Sequence, residues 1–106
     1  MVVTTTKIFV RPERRKEFFQ TLAPLVQRIL SEKGCMDTRV FEETGKENSL
    51  ILIQEWDSPD SWNDHRAGEN FSVLLGLVMV LSIPSKVDFK LLSRIGGNEV
   101  ISNSYK

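Results

Sequence analysis

Residues 49 to 57 read SLILIQEWD, and Leu50 and Leu52 alternate there with Ile51 and Ile53. Successive side chains of a strand point to opposite faces, so a strand built this way is apolar on both sides. Leu91 beside Leu92 repeats the pattern near the end of the chain. Neither face of such a sheet can be left to water, and this requirement governs every architecture open to the chain.

The cover for one face is written in the intervening sequence. Residues 2 to 10 are rich in Val, Thr, Ile and Phe, which suits a strand. After Pro12, residues Phe18, Phe19, Leu22, Leu25, Val26, Ile29 and Leu30 recur at helical spacing, with Pro24 predicted to kink the helix and Gly34 to stop it. CMDTRVFEE (35 to 43) and SLILIQEWD flank TGKEN and read as a hairpin. Ser58 and Pro59 open a short helix ending near Arg66 or Gly68. A longer helix follows with Phe71, Leu74, Leu75, Val78 and Met79 inward, and Pro84 closes it. KVDFKLLSRI (86 to 95) is a fourth strand, through the alternation of Val87, Phe89, Leu91 and Ser93.

The order is strand, helix, strand, strand, paired helix, strand. It predicts an α+β, ferredoxin-like βαββαβ fold: a four-stranded antiparallel sheet with helices on one face. The other face calls for a second subunit packed sheet to sheet, hence a homodimer. The domain is expected over 1–97. A polar C-terminal tail follows over 98–106, as an arm or partly disordered, with Val100, Ile101 and Tyr105 offered to a partner.

Charge and cysteine content narrow the function. Fourteen basic residues balance fourteen acidic ones, which gives no electrostatic footprint for nucleic acid or an anionic membrane. FSVLLGLVMVLSIP (71 to 84) is shorter than the roughly 20 apolar residues that span a bilayer. Cys35 is the single cysteine, so no intrachain disulfide or multi-cysteine metal site is available, and a reduced, cytoplasmic setting is expected.

Three passages, VRPERRKEFFQTLAPLV, EKGCMDTRVFEE and LILIQEWDSPDSWNDHRAGENF, resemble the antibiotic biosynthesis monooxygenase family of dimeric α+β barrels, which includes small quinol monooxygenases. The resemblance runs from about Ile8 to Ile95. It implies ferredoxin-like monomers that pair through their sheets. It also implies oxidation of phenols or hydroquinones by O2 without flavin, haem or metal, because an electron-rich substrate anion can itself reduce oxygen once its proton is removed in a dry cavity.

Within that frame His65, the chain's one histidine, is the candidate proton acceptor, and its alternative role is structural, bonded near Asp60 or Asp64. Asn70 stands where many relatives have a second histidine, and its amide can hold a phenolic oxygen. Trp56, Trp62, Phe71 and Met79 are candidate walls for a flat ring. Gln54 occupies a position where relatives often carry glutamate, and Glu55, on the opposite face, cannot replace it. Arg94, like Arg39, is a candidate for a quinone or phenolate oxygen, with a strand-edge or interface ion pair as the alternative.

A haem oxygenase of the related type is disfavoured because Thr6, His65 and Leu75 fall at the three positions those enzymes use. Cys35 reads as a structural thiol. The resemblance therefore implies a cofactor-independent monooxygenase that converts a small phenol or hydroquinone to a quinone. A non-catalytic homodimeric module for an apolar metabolite, or a structural dimer with a filled pocket, stands as the alternative.

Overall fold

The computed structural model describes residues 1–83 in full and 88–95 and 99–105 through their backbone pairing. The elements are β1 (Val2–Phe9), α1 (Arg15–Leu30), β2 (Cys35–Glu42), β3 (Ser49–Trp56), α2 (Pro59–Arg66), α3 (Glu69–Leu81), β4 (Asp88–Ile95) and β5 (Glu99–Tyr105), with a 3-10 turn at Pro12–Arg14 before α1. They form an α+β fold whose antiparallel sheet has helices on one face. The strand order is β2-β3-β1-β4-β5.

The sheet has five strands where the sequence predicts four. Glu99–Tyr105, expected to be a loose arm, pairs with β4 from Phe89↔Tyr105 to Ile95↔Glu99. Residues such as Ser102, Asn103 and Ser104 carry no apolar alternation, so their own pattern gives no strand signal. Their pairing follows from the free edge that β4 presents, whose backbone groups a further strand can satisfy. Pro84 and Val87 lie outside the described residues.

The central pair β1 and β3 runs in register from Val2↔Trp56 to Phe9↔Ser49. This register places Val2, Thr4, Thr6 and Ile8 with Leu50, Leu52, Gln54 and Trp56 on the inner face, and all eight are buried. Phe18, Leu22, Leu25 and Ile29 of α1 and Leu74, Leu77, Val78 and Leu81 of α3 complete this core. On the opposite face Val3, Thr5, Ile51 and Ile53 are only half-buried, and Phe41 is 48% exposed.

Two details bear on the periodicity reading. Pro24 sits inside an uninterrupted α1, on a side where it and Gln20 are both exposed, so water can satisfy the carbonyl that loses its partner. On α3 the inward stripe falls on Leu74, Leu77, Val78 and Leu81, while Leu75 and Met79 point outward at 38% and 63% exposure. Because that helix is apolar nearly all round, its sequence does not single out one face.

Gly34 locks the passage from α1 to β2 against the start of α2. Its φ is +84°, a left-handed conformation natural to glycine. A Cβ there would lie 2.1 Å from Ser61 Oγ and 2.7 Å from Asp57 Oδ1. The close approach is cemented by Asp57 N donating to the Gly34 carbonyl at 2.9 Å, and it carries Glu32 toward α2.

Candidate active site

Ser58 caps α2, its hydroxyl accepting from Ser61 N at 3.2 Å, and Pro59 occupies the first turn. Ser61 Oγ in turn donates to Asp57 Oδ1 at 2.6 Å, a bond that holds the Asp57 carboxyl below its usual range. With its start fixed, this helix turns Trp62 and His65, three residues apart, onto one inward face. Both rings meet the end of β3, where Trp56 is fully buried.

The result is an aromatic box around an imidazole. His65, 1% exposed, lies 4.6 Å from Trp56, 5.6 Å from Trp62 and 5.5 Å from Phe71, centroid to centroid. Trp62 and Phe71 meet edge to face at 6.0 Å. These separations are those of favourable aromatic contacts.

A polar chain threads the box. His65 Nδ1 lies 2.8 Å from Glu32 Oε2, and Asn70 Nδ2 donates to the same oxygen at 3.2 Å. On the other side of the ring, Gln54 Nε2 lies 3.4 Å from His65 Nε2. Thr4 Oγ1 donates to Gln54 Oε1, also at 3.4 Å. Burial pushes the His65 pKa below its ordinary value, and Glu32 opposes that shift through its hydrogen bond and its charge. The imidazole is thus a buried base with a carboxylate behind it. The indole Nε1 atoms of Trp56 and Trp62 are buried and have no hydrogen-bond partner among the described residues.

Of the residues singled out from the sequence, His65, Gln54, Trp56, Trp62 and Phe71 are brought together directly. Asn70 joins them through Glu32. Met79 is not brought in: it is 63% exposed and eight residues beyond Phe71 on α3, about 12 Å along the helix. The side chain of Arg94 lies outside the described residues. Arg39 pairs with Asp37 on β2 and is 68% exposed. Asp60 and Asp64, suggested as histidine partners, are exposed, and the role goes to Glu32, 33 residues away in sequence.

Glu32 and Thr4 are the functional candidates that sequence reasoning missed. Glu32 belonged to the recognised EKGC passage, which gave it a signal, but its charge resembled that of any exposed helix end. Thr4 gave none beyond its strand parity.

Cys35 makes a 3.3 Å hydrogen-bond contact with Thr38 Oγ1, and burial pushes its thiol pKa up, so it is held as a thiol. Among the described residues no group of three or more His, Cys, Asp or Glu side chains is arranged to hold a metal ion. Nor, among them, is any helix long and apolar enough to cross a membrane. An open groove of about 390 Å3 lies apart from the box, lined by Phe19, Leu22, Ala23, Val26, Gln27, Val40 and Glu42.

The pattern of the antibiotic biosynthesis monooxygenase family matches residues 1–74, a span that contains every member of the box. The chain belongs to the antibiotic biosynthesis monooxygenase family. YcnE of Bacillus subtilis, provisionally described as a monooxygenase, is 31% identical over 71 residues, covering 67% of this chain and 75% of YcnE. Among solved structures, Rv0793 of Mycobacterium tuberculosis superposes with a TM-score of 0.79 at 18% identity, covering 92% of this chain and 98% of Rv0793. A conserved protein of Methanosarcina mazei Go1 gives 0.72 at 23% identity, over 99% of this chain and 90% of the other. These structural likenesses concern the fold, while family membership supports a general monooxygenase or oxidoreductase activity.

Proposed function

We propose that the protein is a cofactor-independent monooxygenase that oxidises a small phenol or hydroquinone to a quinone with O2. The observation that carries this reading is the Glu32–His65–Gln54 chain enclosed by Trp56, Trp62 and Phe71. A base kept neutral by burial, backed by a carboxylate and walled by aromatic rings, suits removal of a phenolic proton.

In this scheme His65 takes the hydroxyl proton and Glu32 stabilises the imidazolium that forms. The phenolate passes an electron to O2, and the radical pair combines at a ring carbon to give a hydroperoxide after protonation. Loss of water then yields the quinone. One oxygen atom of O2 enters the ring and the other leaves as water, all four electrons coming from the substrate. The indole N–H groups of Trp56 and Trp62, buried without partners among the described residues, are donors for the phenolate or quinone oxygen. Asn70 is assigned a further polar contact at the Glu32 end.

Trp62 packs on both His65 and Phe71 with 7% exposure, which favours a second reading, a structural dimer whose pocket its own side chains fill. Catalysis requires Trp62 or Phe71 to yield to the substrate. For both readings we assign the partner as a second copy placed over the half-buried outer face of β1–β3. Covering Ile51, Ile53 and Phe41 there satisfies the apolar requirement on the second side of the sheet.

The deciding experiment is oxygen uptake by metal-free protein across hydroquinones and polyphenols, with His65→Ala alongside and autoxidation subtracted. Saturable uptake with quinone formation, reduced about 10²- to 10⁴-fold in the variant, is expected for a general base. Uptake at the buffer rate across the panel transfers the assignment to the filled-pocket reading.

A further inference from the structure

The hydrogen-bond chain around His65 decides which ring nitrogen is basic. Glu32 Oε2 lies 2.8 Å from Nδ1, and a carboxylate oxygen only accepts, so Nδ1 carries a proton. Gln54 Nε2 lies 3.4 Å from the other nitrogen, and an amide NH2 only donates, so His65 Nε2 presents its lone pair. Thr4 Oγ1 donates to the amide oxygen at its far end, and because a hydroxyl serves either orientation the choice rests on the histidine side.

The reversed amide would put an acceptor against Nε2 and demand a doubly protonated ring. Burial disfavours that charge. The groups facing the ring are Thr4 through Gln54 from β1, Gln54 and Trp56 from β3, Trp62 from its own helix, Phe71 from α3, and Glu32. Among the described residues Glu32 is the one titratable group in contact with it.

We propose that Gln54 is a positioning residue for His65, holding the neutral Nδ1–H tautomer and capping the Nε2 lone pair until a substrate hydroxyl takes the place of the amide. This inference rests on the reading of His65 as proton acceptor. On exchange, the substrate O–H donates to Nε2 and its proton moves there, Glu32 holds the imidazolium at Nδ1, and the displaced amide N–H turns to the phenolate oxygen. A neutral amide is what this cycle needs. A carboxylate at position 54 would favour a proton on Nε2 and weaken the base at neutral pH.

Because His65 is the chain's single histidine, its two imidazole nitrogens can be read without ambiguity in a 15N NMR spectrum of the full chain. In the wild type Nδ1 is expected to be protonated and Nε2 unprotonated at neutral pH. Gln54→Glu is expected to raise the titration midpoint by about 1 to 3 units. It should shift the pH profile of kcat for quinone formation to the alkaline side by the same amount, so that activity at pH 7 falls below the wild type. Gln54→Met, which keeps the shape and adds no buried charge, should move the Nε2 resonance downfield and leave Nδ1 in place.

A wild-type ring protonated at Nε2 overturns the inference, as does Gln54→Met with an unmoved Nε2 resonance. Oxygen uptake whose pH profile is unchanged in Gln54→Glu overturns it while leaving the functional reading intact. The expected spectra in a protein that oxidises no phenol or hydroquinone would sink the functional reading and keep Gln54 as the residue that sets the tautomer.

Discussion

The two ends of the inner sheet face are built from the same strands and obey opposite rules. Toward Ile8 and Leu50 the face meets Phe18, Leu22, Leu25 and Ile29, and this end is mostly apolar, its buried Ser82 bonded back to the Val78 carbonyl of its own helix. Toward Val2 and Trp56 it carries Thr4 and Gln54, and α2 adds His65 beside two indoles whose N–H groups have no partner among the described residues. An apolar core would serve folding better at both ends, since each buried polar group without a full set of hydrogen bonds costs about 1–3 kcal/mol. Departures from the rules of good packing concentrate where a site is kept.

Substitutions at the two ends should therefore separate stability from function. The largest stability effect is expected at the aliphatic end. Phe18→Ala should cost about 3–5 kcal/mol, seen as a lower urea midpoint with an unchanged slope, while the 15N spectrum of His65 in the folded fraction stays as in the wild type. A perturbed histidine in that variant would break the comparison, by showing that the two ends are coupled.

Glu32→Gln tests the polar end. Losing the carboxylate at Nδ1 should cost about 1–3 kcal/mol and lower the His65 midpoint further, because both Glu32 contributions raise it. A midpoint that stays put or rises in this variant would remove Glu32 as the partner that holds the ring.

Gly34→Ala strains a left-handed backbone and drives a methyl into Ser61. A loss of more than about 1 kcal/mol is expected, together with a disturbed His65 spectrum, since the same turn delivers Glu32. A normal spectrum would show that the turn and the site are independent.

The pH dependence follows from burial. The folded pKa of His65 lies below the ordinary value of 6.5, so between the two values the unfolded chain binds more protons. Stability from the neutral ring is present above pH 6.5 and is lost as the pH falls from there through the folded pKa. Urea midpoints at pH 7.5 and 5.5 should differ in the wild type and differ less in His65→Asn. The smallest effect belongs to the surface. Arg14→Ala removes an exposed pair with Glu17 at 2.7 Å and should cost about 0.2–1 kcal/mol, fading in high salt.

Much of this site was legible because strand parity and helical spacing are local. The periodicity from Phe18 to Ile29 marks α1, Ser58 and Pro59 mark the start of α2, and three-residue spacing puts Trp62 and His65 on one face. What failed failed for local reasons too. The apolar run from Phe71 to Leu81 contains no polar stripe, so nothing in the sequence contradicts an inward Met79. Glu99–Tyr105 gains its strand from the edge of β4 and not from its own residues.

The sequence alone determined the order of elements, the two-faced strands and the short list of residues able to accept a proton or wall a ring. Those properties depend on residue type and on spacing within a few turns of chain. Tertiary structure decided that Glu32, rather than Asp60 or Asp64, stands behind His65, and that Gln54 caps the far side of the ring. The first contact spans the whole β2–β3 hairpin and the second the turn from β3 into α2, and chain separation holds no information about distance until the sheet has closed.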